Sequence, residues 1–142
     1  MRKASQITDA LRLGFPDNQN ILSLIKKVRE GIKYTFFLRI VNVSPFTMQE
    51  WSVYLDLTER TMQRYQKEKK TFDRLQSEKI LEITILNKKG SEVFGNKDSY
   101  NKWLDSKNIA LGGVKPKELL DNSFGIQLLK DELLRIEHGV LA

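Results

Sequence analysis

Arg60, Gln63, Arg64 and Lys67 stand three and four residues apart between Glu59 and Glu68. On a helix turning about 100° per residue they share one side. An arginine fork can bond guanine, and a glutamine amide adenine, by paired hydrogen bonds in a major groove. Thr58 and Thr61 open the same segment, where hydroxyls and free backbone amides suit a phosphate. Lys67, Lys69 and Lys70 supply ammonium groups for a phosphate backbone. From Leu57 to Lys70 there are five basic and two acidic residues. The chemistry on offer is reversible binding to a polyanion.

Bond-making chemistry has no comparable set of residues. The single histidine, His138, has no cysteine, serine or acid at a telling spacing, since the adjacent Glu137 points elsewhere on a helix. Zinc needs three or four ligands, and the chain has no cysteine. Leu111-Gly112-Gly113 lacks the Lys-Ser/Thr that would follow in a phosphate-binding loop and reads as a tight turn. We therefore expect no enzyme activity, no metal and no cofactor.

Charge divides the chain. Lys plus Arg is 24 and Asp plus Glu 18, a net of +6. Residues 1–72 hold 13 basic and 7 acidic residues, and residues 73–142 hold 11 of each. One end is built for a polyanion and the other for something else. No stretch approaches the roughly 18 apolar residues of a membrane span. Arg2 and Lys3 are not followed by an uninterrupted apolar run, because Asp9, Arg12 and Asp17 intervene. No secretion signal is expected, and with no disulfides to form, the cytoplasm is the expected compartment.

The elements that must position these groups read as helices. Residues 1–19 show no sustained period and form a lead segment. Ile21, Leu24, Ile25, Val28 and Ile32 mark an amphipathic helix that Gly31 is placed to stop. Tyr34 to Val43 is a second helix, with Phe36, Phe37 and Ile40 inward, ended by Ser44-Pro45. Thr47-Met48-Gln49-Glu50 is a capping box opening a short helix with Trp51, Val53, Tyr54 and Leu55. After the turn at Asp56-Leu57, Thr58 caps the next helix, in which Met62 and Tyr65 face inward. Two short helices about three residues apart, with Leu57 plugging the angle, form a helix-turn-helix pattern. Asp56 stands where such turns often have Gly.

Leu75 to Leu86 is ambiguous. Leu81, Ile83 and Ile85 alternate as in a strand, while Arg74 to Lys79 is rich in helix formers. We read one long helix to Phe94, capped by Gly95, despite Gly90 in its interior. Tyr100, Trp103 and Leu104 share one side of a short helix, Pro116 starts another ending at Leu120, and Asp121-Asn122-Ser123 caps a last helix of about five turns. There Ile126, Leu129, Leu133, Ile136 and Val140 make a core stripe. Leu134 and Leu141 lie off it, so they belong either to a wide core face or to a surface that another chain covers.

Glu92-Val93-Phe94-Gly95, Trp103-Leu104, the run from Ala110 to Pro116, Leu119-Leu120-Asp121 and the terminal run from Arg135 to Ala142 together resemble the antitoxins of RES–Xre toxin–antitoxin systems, the Xre/MbcA/ParS-like family. The resemblance covers the chain from about residue 31. It implies an all-α protein, with a helix-turn-helix bundle over 20–70 and a small helical toxin-binding domain over 71–142. It also implies operator DNA read by Glu59 to Glu68, homodimers within a toxin–antitoxin complex, and a RES-domain partner toxin that degrades NAD. The toxin's active-site entrance would be blocked by the terminal residues. By position these are Arg135 to Ala142, with Leu134, Ile136, Val140 and Leu141 giving apolar burial and Arg135, Glu137 and His138 polar contacts. The alternative is a stand-alone helix-turn-helix regulator whose C-terminal half only dimerises.

Overall fold

A computed structural model describes residues 18–139, with side-chain exposure from Ile21 onward. The lead segment up to residue 17, and Val140, Leu141 and Ala142, lie outside the described residues. Those described form seven α-helices and two short 3-10 turns, with no strand. The helices are α1 Asn18–Glu30, α2 Tyr34–Val43, α3 Met48–Tyr54, α4 Glu59–Glu68, α5 Arg74–Phe94, α6 Lys97–Leu104 and α7 Ser123–Gly139. The fold is all-α as expected. The chain divides into two compact units that meet between Ile85 and Leu86, a point inside α5.

The first unit is organised by aromatic rings. Phe37 meets Trp51 edge-on at 5.3 Å and Phe72 at 5.0 Å, and Phe46 meets Trp51 and Tyr54 at 5.9 and 5.1 Å. Such pairs add to the area they bury. The Trp51 indole N–H donates to Ser44 Oγ at 3.0 Å, which satisfies the one polar atom that the buried ring carries. The Ser77 hydroxyl is buried and accepts from the Ile32 amide at 2.8 Å, tying the α1–α2 junction to α5. Backbone bonds from Tyr34 to Lys70 and from Phe72 to Ile32 fasten the same junction to the α4–α5 connection.

Two expectations for this unit are revised. The α1 stripe is only half covered by the described residues, with Ile21 45% and Ile25 38% exposed. Phe36 is half-buried, and Tyr34 takes the fully inward place beside Phe37 and Ile40. The reason is the helical register: Tyr34, Phe37 and Ile40 are spaced by three, which keeps them within one face, and the Lys27 ammonium sits 4.7 Å over the outlying Phe36 ring.

The second unit is held by two close approaches. Gly90 lies under Tyr100, where a Cβ would stand 2.0 Å from the ring. The glycine that weakens the helix pattern is what lets α6 reach α5. Tyr100 Oη then donates to Asn87 Oδ1 at 2.8 Å, and its ring stacks with Trp103. Leu104, Leu120, Ile126, Leu129 and Leu133 are buried behind it. The alternating run Leu81–Ile85 is helical, and α5 ends at Gly95 with φ 86°. Ile109–Leu111 and Pro116–Leu119 are 3-10 turns, η1 and η2. The Asp105 carboxylate at the end of α6 takes bonds from Lys117 at 2.9 Å and Lys115 at 3.3 Å, which pin the loop before η2. The same two ammonium groups, Lys117 first, hold Asp105 below the usual carboxylate range.

Candidate functional site

Two surfaces carry the residues singled out above, one in each unit. In the first, α3 and α4 are joined by Leu55 to Thr58. The capping box is present, with Thr47 Oγ1 accepting from the Glu50 amide at 3.0 Å and Glu50 accepting from the Thr47 amide at 3.0 Å. Asp56 adopts φ 55°, the left-handed conformation that glycine reaches most easily and Asp or Asn next. Leu57 is half-buried, with its amide on the Ser52 carbonyl at 2.9 Å. The departure from glycine is thus a matter of cost, not of turn geometry. Asp56→Gly is expected to stabilise this unit by about 0.5–1 kcal/mol, and Asp56→Val to destabilise it by more than that. Urea-unfolding midpoints of the two variants check both signs.

Thr58 caps α4. Its hydroxyl accepts from the Thr61 amide at 3.0 Å and lies 2.9 Å from the Thr61 hydroxyl. Met62 is 2% exposed and Tyr65 half-buried, so α4 is fixed by the face opposite its charges. Arg60, Gln63, Arg64 and Lys67 are exposed, within an arc of about 100° at the helical angle per residue. Neither arginine has an ion-pair partner among the described residues. Lys69 closes the helix at φ 52° and is exposed, while Lys70 leans toward Glu68 and Tyr65. Arg60, Gln63, Arg64 and Lys67 therefore form one strip, with Lys69 at its end, and the two threonines are engaged in holding the helix start.

In the second unit the surface is α7. Asn122 accepts the Gly125 amide at 2.8 Å and starts the helix. Ile126, Leu129 and Leu133 are 0% exposed and form the core stripe, while Ile136 is half-buried. Leu134 is 44% exposed, and Arg135 and His138 are exposed. Glu137 is half-buried, and both its oxygens take the Lys89 ammonium at 3.1 Å. Arg135 is bound to the buried carboxylate of Glu132, whose hydrogen bonds and charge push the arginine's already high pKa further up. Of the terminal residues selected by sequence, the polar contacts of Arg135 and Glu137 are thus made within the chain, and Leu134 and His138 are left outward.

Sequence reasoning missed two residues on the same helix. Phe124 is 88% exposed and Leu128 45%. Their spacing of four was legible, but in the sequence Phe124 is hidden among the capping residues that precede the stripe. Ile109, in the loop between α6 and η2, is 94% exposed. That loop uses the amides of Gly112 and Gly113 on its own Ile109 and Asn108 carbonyls.

Among the described residues no group of three His, Asp or Glu side chains could hold a metal ion, and no helix is long and apolar enough to cross a membrane. Residues 23–83 match the model of the antitoxin Xre-like helix-turn-helix domain. Residues 89–139 match the model of the antitoxin Xre/MbcA/ParS C-terminal toxin-binding domain. The basic strip on α4 falls inside the first match and the exposed part of α7 inside the second. No curated protein matches the chain.

Proposed function

This chain belongs to the Xre/MbcA/ParS-like antitoxin family, and on that premise we propose that it neutralises a RES-domain, NAD-degrading toxin while repressing its own operon. Members of the family are DNA-binding and toxin-binding proteins, not enzymes. On this reading α4 enters the major groove of operator DNA, with Arg60, Gln63 and Arg64 at base edges and Lys67 and Lys69 on phosphates, while Thr58 and Thr61 hold the start of the helix. A homodimer presents two such helices to a two-fold site. The segment from Leu134 to Ala142 covers the entrance of the toxin's active site in the cytoplasm.

The observation that carries the toxin-binding half is Leu134. It is a leucine 44% exposed on a helix whose buried side is already formed by Ile126, Leu129 and Leu133. Full burial of one leucine is worth about 1.5–3 kcal/mol. Leu134→Ala combined with Leu141→Ala should therefore weaken toxin binding by about two orders of magnitude or more. Co-expression is the test. Cells making the toxin with the unaltered chain should grow and keep their NAD, and cells making it with the double variant should lose both. Full protection by the double variant would show that another surface does the work. Undisturbed NAD in cells making the toxin alone would remove the RES assignment.

A further inference from the structure

The solvent side of α7 carries more apolar surface than a blocking tail needs. Taking Phe124 as zero and about 100° per residue, Leu128 lies at about +40° and Leu134 at about −80°. Gln127, Asp131, Arg135 and His138 fall between them, and all seven are exposed. The opposite side is the buried stripe of Ile126, Leu129 and Leu133. Single exposed apolar residues are ordinary, but three on one face of one helix form a strip. Phe124 is the sharpest case. It is the second residue of the helix, and with 88% of its surface in solvent the fold takes almost nothing from its ring. It stands about 15 Å along the helix axis from Leu134.

We propose that the face of α7 from Phe124 to Leu134 is the toxin's docking strip, so that affinity resides there and blockade resides in the residues after it. The occupant is the toxin because the whole strip lies within residues 89–139, the part of the chain that matches the toxin-binding domain, and because it runs directly into the segment assigned to occlusion. The proposal rests on the antitoxin reading but not on the RES identity of the toxin. The complementary surface has apolar pockets for Phe124, Leu128 and Leu134, with polar groups facing the side chains that lie between them. Aromatic side chains that fill such pockets dominate interface energies.

The test uses the full chain and the toxin encoded in the same operon, made inactive by substitution in its own active site. Phe124→Ala with Leu128→Ala should leave the melting temperature of the free chain within about 2 °C, since neither side chain is buried. The same variant should weaken toxin binding by about 30-fold or more in calorimetry. At saturating concentration it should still inhibit active toxin fully. A chain ending at Gly139 should do the reverse, losing only the share of affinity that Leu141 supplies, about tenfold, and leaving the toxin active at saturating concentration. Unchanged affinity of the double variant, beside normal binding by the unaltered chain, would sink the docking strip alone. Absence of binding by the unaltered chain would sink the antitoxin reading with it. A dimeric free chain that the double variant turns monomeric, with toxin affinity kept, would make the strip a self-association surface and overturn the proposal.

Discussion

Gly125→Ala is expected to destabilise residues 86–139 by about 3 kcal/mol or more and to abolish toxin binding while operator binding survives. A Cβ at position 125 would stand 1.8 Å from the Leu119 carbonyl oxygen and 2.8 Å from its carbon. Both atoms are backbone, so no rotamer change relieves the clash. Leu119 closes the 3-10 turn η2, whose Pro116 is itself buried, and Leu120 after it is 0% exposed. The start of α7 has little freedom to slide, because Asn122 holds the Gly125 amide at 2.8 Å and Ile126 one residue on is fully buried. Overpacking a core costs about 1–3 kcal/mol even when side chains can adjust, and a unit this small has little stability to spare. Limited proteolysis should therefore show early cuts after residue 86 with the first unit still protected. Gly139→Ala is the control: among the described residues nothing lies within 4 Å of its added methyl, and at the end of a helix it should leave stability unchanged or raise it slightly. Equal melting of the two variants would mean that the contact between α7 and η2 is not what holds the second unit.

The same glycine shows where the sequence stops being informative. Local devices are legible in advance because they involve neighbours in the chain. Thr47 with Glu50, Thr58 as a cap and Gly95 as a stop were each placed from residue type and spacing, and the structure has each of them. Leu81 to Ile85 shows the limit of periodicity, since an alternating run is buried on more than one side of a helix when partners pack around it; Ile80, Leu81, Ile83 and Thr84 are all buried. Gly90 reads as a blemish in a helical pattern and Gly125 draws no notice in the sequence, and the reason for each lies with Tyr100 and Leu119, residues brought close only by folding. Pairing is likewise not written in spacing. Arg135, Glu137 and Lys89 are all charged and all plausible at an interface, yet Lys89 and Glu137 lie 48 residues apart and meet in the fold. Exposure behaves the same way. Phe124 becomes conspicuous only once Ile126, Leu129 and Leu133 are seen to face the other way.

Arg60→Ala combined with Arg64→Ala is expected to weaken operator binding by about 100-fold or more, with the fold and toxin binding intact. The rigidity of α4 makes the effect local. Its Thr58 cap is made, Met62 is 2% exposed, and the face that packs is opposite the charged one, so truncating two outward side chains moves nothing beneath them. Each bidentate arginine–guanine contact is worth about 1–3 kcal/mol of discrimination, and about 1.4 kcal/mol is tenfold in affinity. The pair should thus lose affinity for the operator far more than for unrelated DNA. Lys67→Ala should behave differently. An ammonium on a phosphate carries no sequence information, so its loss should weaken operator and unrelated DNA alike, and should lower the slope of log affinity against log salt by about one. Gel-shift titrations of the upstream operator and a scrambled duplex, at two or more salt concentrations, separate the two effects. If the double arginine variant melts normally and binds the operator as the unaltered chain does, α4 is not the reading helix. If it loses affinity equally for both duplexes, the arginines hold the backbone and specificity must come from Gln63 or from the shape of the DNA.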